Sequence, residues 1–207
     1  MPQLWADTLD EHRRLVLGRI LDAYTRLREV HDLDELTLGA VAAEAGIARS
    51  AIYNYVPDKH GLVLAHAERV FDVSTAKVAR AVARHKDPHA RLLAYVRATL
   101  ESYREQPAAA EELMGRLAPD EQRLLLAMLA PLRALLEGVV REGVAGGRFR
   151  GPADDVISVV WSCLAGFRLP VANGHLSPAQ ARRALAKVLE HGILADAART
   201  SDAQPAP

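Results

Sequence analysis

The sequence is short of cysteine, aromatic residues and net charge, and each shortage excludes a class of protein. A single cysteine, Cys163, allows no internal disulfide, which is typical of proteins from a reducing compartment. Aromatic residues make up 5% of the chain, whereas alanine and leucine are frequent, which favours helices over sheet. A formal net charge of zero gives no support for a general nucleic-acid binder.

Long apolar runs are also missing. No uninterrupted apolar run approaches the ~20 residues that a membrane-spanning helix needs. Charges interrupt every apolar stretch from Leu9 to Leu27, so the N-terminus does not resemble a signal peptide. We therefore expect a cytoplasmic protein without a membrane partner. Half of the 207 residues are apolar, which is enough for a substantial core, and we predict an all-α fold.

The most informative stretch is 37–59, which predicts two short helices joined by a tight turn. Thr37 is a good N-cap, because its hydroxyl can accept a free amide of the first turn. Apolar residues then recur at helical spacing: Leu38, Val41, Ala42 and Ala45. Gly46 follows them, where a helix most often ends on a left-handed residue.

A second helix is expected from about Ala48 until Pro57 stops it, with Ile52 and Val56 on its inner side. Polar and aromatic side chains are left for the outside: Arg49, Ser50, Tyr53, Asn54 and Tyr55. A helix, a short turn and a second helix with a polar outer side form the helix-turn-helix arrangement, which inserts its second helix into the DNA major groove. The alternative is a plain helical hairpin, whose outer side would more often be a mixture of Lys and Glu.

Residue types on the outer side suggest roles in DNA binding. Arg and Asn read guanine and adenine edges through paired hydrogen bonds. The candidates for base edges are Arg49, Ser50, Asn54 and Tyr55, and the candidates for phosphate are Thr37, Tyr53 and Lys59. Tyr55 has an alternative role, which is packing on the core of its own domain. We expect Asn54 to carry most of the sequence information.

This stretch resembles the DNA-binding signature of the tetracycline-repressor (TetR) family. The resemblance is carried by Thr37, Val41-Ala42, Ala45-Gly46-Ile47, Tyr53, Lys59 and Leu62. Three positions depart from the family pattern: Ala48 replaces a capping Ser or Thr, Ala51 replaces a phosphate-contacting Thr, and Val56 replaces a common Phe. The resemblance implies a three-helix DNA-binding head at 1–60 and a helical ligand-binding and dimerisation domain at 61–199. The polar, Pro-rich stretch 200–207 is predicted to be a disordered tail.

The charge of the head counts against DNA binding. Up to His60 there are seven Lys and Arg residues against ten Asp and Glu residues, a net charge of −3. A dimer can still bind if its few cations face the groove, and we then expect a shallow dependence of affinity on salt. The alternative function is a helical ligand-binding or interaction protein whose head no longer binds DNA.

Helix starts in the second domain are marked by prolines and short polar side chains. They lie at Asp58, Asp87-Pro88, Pro107, Pro119, Pro152 and Ser177-Pro178. Pro131 is expected to kink or split its helix. The last two helices, 152–169 and 178–198, combine three-and-four apolar spacing with small residues. In the resembled family such helices form a four-helix bundle with a second subunit, so we expect a homodimer. The alternative is that both stripes face the subunit's own core.

A ligand site is expected among the helices between Pro88 and Phe167, because sites between bundled helices are mostly apolar with a few polar anchors. The candidates for ligand contact are Tyr95, Tyr103, Met114, Met128, Trp161, Leu164 and Phe167. Arg97, Arg104 or Arg168 would suit an acidic group. A solid core is the alternative for each residue. The resemblance implies a small apolar or amphipathic effector that releases a repressor from a palindromic double-stranded DNA operator.

No cluster of side chains suggests an enzyme. His85 and His89 have the four-residue spacing of helix metal ligands, but Asp87-Pro88 breaks the helix between them. Cys163 sits on an apolar stripe without a neighbouring His or Lys. We therefore expect no catalytic residue, no metal and no cofactor. An all-α enzyme is a third interpretation, with no residue cluster behind it.

Overall fold

The computed structural model describes residues 3–105 and 119–192, except for the side chains of 3–7, 121, 125, 190 and 191. The regular elements of these two ranges are helices, which confirms the predicted all-α fold. The α-helices are α1 Gln3–Arg28, α2 Leu38–Glu44, α3 Lys59–Ala83, α4 Pro88–Glu105, α5 Pro119–Ala127, α6 Ala130–Ala145, α7 Ala153–Ala172 and α8 Pro178–Gly192. A short 3-10 helix, Ile52–Asn54, lies between α2 and α3. The chain divides into two compact units, Met1–Arg69 and Val70–Pro207, which we call the head and the body.

The predicted helix caps are confirmed in the head. The backbone N–H of Ala40 donates to Thr37 Oγ1 at 3.1 Å and fixes the start of α2. Gly46 follows α2 with a φ of 67°, a left-handed conformation that favours glycine. The N–H of Gly61 donates to Asp58 Oδ1 at 2.7 Å at the start of α3. Local sequence chemistry therefore determines where these helices begin and end.

The second helix of the predicted pair differs from the expectation. Residues 49–51 form a turn, and the helix that follows has only three residues. Its hydrogen bonds span three residues, from Asn54 N to Ala51 O at 3.1 Å and from Tyr55 N to Ile52 O at 3.0 Å. The residue that precedes it, Ala51, offers no side-chain cap. A short uncapped segment ahead of Pro57 has too few bonds to propagate an α-helix.

The core of the head lies between α1, α2 and the start of α3. Its largest fully buried side chains are Ile20, Tyr24, Ile52 and Leu62. Val41 and Ala42 of α2 are fully buried too, and α1 packs directly on α2. The 3-10 helix thus rests on this core through one side chain of its own, Ile52, and through Val56 just after it.

The body is built around α4, which packs against α6, α7 and α8. The large side chains at its centre are buried and apolar: Leu92, Tyr95, Leu100, Leu136, Ile157, Leu164 and Leu185. The predicted break at Pro131 is confirmed, because α5 ends at Ala127 and α6 begins at Ala130. The predicted cap at Ser177 is also present, since Gln180 N donates to its Oγ at 3.2 Å.

Part of the predicted dimer stripe faces the core of its own subunit. Leu185 and Leu189 of α8 are each 1% exposed, and Val156 and Val160 of α7 are buried in the same core. The outward side of α8 carries Val188, which is 55% exposed. The apolar repeat therefore predicted that one side of each helix is buried. It did not show whether the subunit's own core or a second subunit buries that side.

Helix α7 is long and apolar enough to span a membrane by length and composition alone, with a mean hydropathy of 1.4 over its best window. In the structure it packs against α4, α6 and α8, and Asp154 and Asp155 occupy its first turn. A helix that packs inside a helical bundle can satisfy the same two criteria. The predicted helix after Pro107 and the predicted tail 200–207 lie outside the described residues.

Candidate functional site

The 3-10 helix and the turn before it present their side chains as predicted. Ile52 and Val56 are buried at 0% and 1% exposure and face the core of the head. Four of the five outward residues are exposed: Arg49, Ser50, Tyr53 and Asn54. The chain therefore offers hydrogen-bonding side chains to solvent from a backbone that is fixed from behind. Contact between these side chains and DNA stays a prediction.

Arg49 is placed by α2. A Cβ atom at Gly39 would lie 3.5 Å from Arg49 Nε and 3.6 Å from its Cδ, so the arginine lies alongside the first turn of α2. Arg49 has no hydrogen bond or ion pair with any residue that the structure describes. Its guanidinium is therefore available to a guanine edge or a phosphate.

Two of the predicted phosphate contacts already have internal partners. Thr37 Oγ1 accepts the α2 cap bond but keeps its own hydroxyl hydrogen. Lys59 Nζ donates to the backbone oxygen of Asp34 at 3.2 Å, which leaves two of its three N–H groups. Tyr53 is 51% exposed. All three can donate outward, and their contacts with phosphate remain predictions.

Tyr55 is half-buried and has a cation beside it. The Cζ of Arg13 lies 5.8 Å from the centre of the Tyr55 ring. The same arginine donates from Nη1 to the backbone oxygen of Asn54 at 2.9 Å. Spacing rules within the sequence did not reveal Arg13, because its partners Asn54 and Tyr55 lie 41 and 42 residues away in the chain.

Other arginines of α1 also hold parts of the head. Arg19 Nη2 donates to the backbone oxygen of Ala45 at 2.7 Å, at the C-terminal end of α2. Arg26 Nε pairs with Glu44 at 2.8 Å. Near the start of the body, Arg69 Nη1 pairs with Asp22 of α1, also at 2.7 Å. Several cations counted in the acidic head are thus occupied by structural contacts, which supports a shallow dependence of DNA affinity on salt.

His66 is a second residue that sequence reasoning missed. Its ring meets Tyr24 edge-on, with centroids 4.9 Å apart, and its Nε2 lies 3.1 Å from Thr25 Oγ1. The Thr25 hydroxyl donates to the backbone oxygen of Leu21, so its oxygen accepts from a neutral His66 that carries its proton on Nε2. Burial, and then the nearby Arg69 and Arg28, lower the pKa of His66 from 6.5 to about 4.

The low pKa of His66 predicts that acid destabilises the head. Between pH 6.5 and about 4 the unfolded chain binds a proton at His66 and the folded chain does not, so the free energy of unfolding falls as the pH falls through this window. Allowing for solvent screening, we expect a loss of about 1–2 kcal/mol. His66→Phe keeps an aromatic ring beside Tyr24 and removes the titration. Chemical denaturation at both pH values should show a smaller loss for this variant; an equal loss would assign the effect to carboxylates.

The predicted ligand residues are placed in or beside the body core. Tyr95 and Leu164 are buried in it, and Tyr95 Oη donates to the backbone oxygen of Leu132 at 3.1 Å. Partly buried residues pack against the same core: Tyr103, Trp161 and Phe167. Met128 is half-buried between α5 and α6, and Met114 lies outside the described residues. Whether these side chains contact a ligand stays a prediction.

Two tyrosines add polar groups to this apolar surrounding. Burial raises the pKa of Tyr103 to about 12, and the positive charge of Arg168 opposes the rise. Burial, and then Tyr103, raise the pKa of Tyr95 well above its ordinary value. Both phenols are therefore neutral hydrogen-bond donors at pH 7. The hydroxyl of Thr99, one turn after Tyr95, is buried beside it and opposes the rise in the pKa of Tyr95.

Comparison with known proteins identifies the head. Residues 20–66 match the family model of the bacterial regulatory proteins of the tetR family. The head is a tetR-family domain. The matched region includes the helix-turn-helix and the start of α3, and it confirms the resemblance predicted from the sequence.

A curated relative shares part of the chain. The HTH-type transcriptional regulator BetI of Burkholderia cenocepacia (strain HI2424) is 34% identical over 90 residues. That alignment covers 43% of this chain and 46% of the relative, so the match spans about half of the relative's length.

Solved structures share this fold of a head and a helical body. The regulator FadR of Bacillus subtilis, in complex with stearoyl-CoA, has a TM-score of 0.68 at 12% identity and covers 83% of this chain and 96% of its own. A transcriptional regulator of Saccharomonospora viridis, in complex with choline, has a TM-score of 0.68 at 20% identity, with 90% and 99% coverage. These likenesses concern the fold.

Proposed function

We propose that this protein is a cytoplasmic, ligand-responsive transcriptional regulator that represses its target genes by binding a palindromic operator. The observation that carries the proposal is the outer side of the turn 49–51 and of the 3-10 helix, where Arg49 and Asn54 are exposed and Ile52 fixes the backbone from behind. This surface belongs to a domain matched to a family of DNA-binding regulators. Arginine and asparagine side chains supply the donors and acceptors that read base edges in the major groove.

A homodimer would place two heads on two half-sites. The outward side of α7 carries a stripe of small and apolar residues at three-and-four spacing: Val159, Ser162, Ala165, Gly166 and Leu169. On α8, Ala184 and Val188 are exposed as well. Small residues allow two helices to approach closely, so these outward sides suit a second copy of the chain.

The effector would bind in the body. Its candidate contacts combine apolar side chains with the neutral hydroxyls of Tyr95 and Tyr103, near the cation of Arg168. This composition suits an amphipathic molecule whose polar end meets the tyrosines. The structures in complex with stearoyl-CoA and with choline show that related folds accept small molecules. Release from DNA requires that the effector prefers the conformation of the dimer that does not fit the operator.

Selection of bound sequences from random duplex DNA at low salt tests the proposal. We expect enrichment of an inverted repeat whose half-site centres are separated by about one helical turn or a multiple of it. Binding without any enriched sequence, or no binding at all, would favour the alternative function in which the head no longer reads DNA.

We predict that Asn54→Ala changes the preferred operator. The substitution removes the amide side chain but keeps the backbone oxygen that accepts from Arg13. Losing one paired contact with adenine should cost ~1–3 kcal/mol at one base pair in each half-site. Tyr53→Ala is the matched control, because the loss of a phosphate contact lowers the affinity for all DNA sequences alike. Enriched motifs of both variants should be compared at fixed salt; uniform weakening by Asn54→Ala would make it a positioning residue.

A further inference from the structure

The residues proposed to read DNA lie within 49–55, which we call the reading surface of the head. The regular element that supports this surface is the short 3-10 helix Ile52–Asn54. The 3-10 helix has three residues, no side-chain cap and a single buried side chain of its own. Such a helix is weakly self-supporting, because its few bonds do not offset the entropy of ordering its backbone. The direction in which Asn54 points therefore depends on contacts made with other elements.

Arg13 of α1 supplies two of these contacts at the end of the helix. Its Nη1 donates to the backbone oxygen of Asn54 at 2.9 Å, and carbonyl oxygens at a helix C-terminus lack partners within the helix. Its guanidinium also lies 5.8 Å from the centre of the Tyr55 ring, within the range of a cation–π interaction. One side chain thus holds two consecutive residues of the reading surface.

An arginine at position 13 suits these two contacts better than a lysine would. A planar guanidinium can donate along its edge to a carbonyl while its face meets an aromatic ring, and a lysine ammonium lacks this geometry. The next residue, Arg14, has the same charge, but among the residues that the structure describes it bonds only within α1, from its Nε to the backbone oxygen of Asp10 at 3.3 Å. The contacts of Arg13 with 54–55 therefore do not follow from charge on α1 alone.

We propose that Arg13 is a positioning residue for operator recognition, which fixes Asn54 and Tyr55 in the orientation that reads DNA. This proposal rests on the proposed function. Arg13 acts on specificity through the backbone that carries Asn54, and not through a contact of its own with phosphate.

The test compares Arg13→Ala with Arg14→Ala in the full-length protein, with Arg13→Lys as the charge-preserving variant. We expect the ratio of affinities for the selected operator and for random duplex DNA to fall about threefold to tenfold in Arg13→Ala. The slope of log affinity against log salt should stay unchanged, because no phosphate contact is lost. Arg14→Ala should keep the ratio, and Arg13→Lys should restore little of it.

Three results would overturn the proposal. A salt slope reduced by about one per head, with uniform weakening, would make Arg13 a phosphate contact. Equal effects of Arg13→Ala and Arg14→Ala would reduce its role to general charge. Full recovery by Arg13→Lys would exclude the need for a planar group.

A second measurement does not depend on DNA binding. Amide hydrogen exchange at 54–56 should accelerate in Arg13→Ala and not in Arg14→Ala, with the helices of the head unchanged by circular dichroism. Unchanged exchange would reject the positioning role even if the wild type had no preferred operator. If the wild type has no preferred sequence but exchange accelerates in Arg13→Ala, the proposed function is rejected and the contact of Arg13 with 54–55 is supported.

Combining Arg13→Ala with Tyr55→Leu should accelerate exchange little beyond Arg13→Ala alone, because both changes break the same contact between Arg13 and the Tyr55 ring.

Discussion

The Val188→Arg variant is expected to be a folded monomer whose affinity for a paired operator falls about a hundredfold or more. Val188 is 55% exposed on α8, so an arginine there meets solvent in the monomer. In a dimer formed by the outward sides of α7 and α8, the same arginine would be an unpaired charge buried at the interface. Without the second head, binding to two half-sites loses the advantage of linked contacts.

Leu185→Arg is the control that separates the interface from the core. Leu185 lies three residues before Val188 on the same helix, but it is 1% exposed. A charge at this position has no route to water and should cost several kcal/mol, enough to unfold the body. Sedimentation velocity at micromolar concentration and circular dichroism distinguish the two outcomes. A folded dimer of Val188→Arg would place the interface elsewhere.

Gly143→Ala is expected to lower the stability of the body by about 1–3 kcal/mol, and its melting temperature by several degrees. A Cβ atom at this position would lie 2.2 Å from two ring carbons of Phe149, which is itself 4% exposed. The ring closes against α6 because glycine leaves that space open. A methyl group therefore forces Phe149 away from the core that it covers.

Gly138→Ala on the same helix makes the comparison specific. A Cβ at Gly138 meets no atom within 4 Å, and alanine is the better helix former by up to about 1 kcal/mol. This variant should raise the melting temperature where Gly143→Ala lowers it. Equal shifts in calorimetry would show that helix propensity, and not the Phe149 ring, controls both positions.

Sequence patterns predicted the features that depend on neighbouring residues. Thr37, Gly46 and Asp58 mark helix ends through bonds to residues close in the chain, so their roles followed from position alone. The buried pair Ile52 and Val56 followed from helical spacing. Such interactions are local, and local chemistry is what a single sequence displays most directly.

Features that depend on distant partners were not predictable in the same way. The spacing of Leu185 and Leu189 showed that one side of α8 is buried, but periodicity does not tell a subunit's own core from a second subunit. Arg13 and His66 gain their roles from residues 41 and 42 positions away. The lack of a capping side chain at Ala48 was visible in the sequence. The 3-10 segment that replaces the expected α-helix begins later, after the uncapped Ala51, and its length depends on the balance of weak local terms.

Around the 3-10 helix, different side chains make the proposed DNA contacts and the packing contacts of the head, which affects how operator preference can evolve. The residues proposed to face DNA, such as Asn54 and, in the preceding turn, Arg49, are exposed, whereas the residues that hold the backbone, Ile52 and Val56, are buried. Exchanges at the outer positions leave the packing of the head untouched and change its free energy of unfolding little. For the proposed regulator, gene duplicates can therefore acquire new target sites one substitution at a time without passing through unstable intermediates.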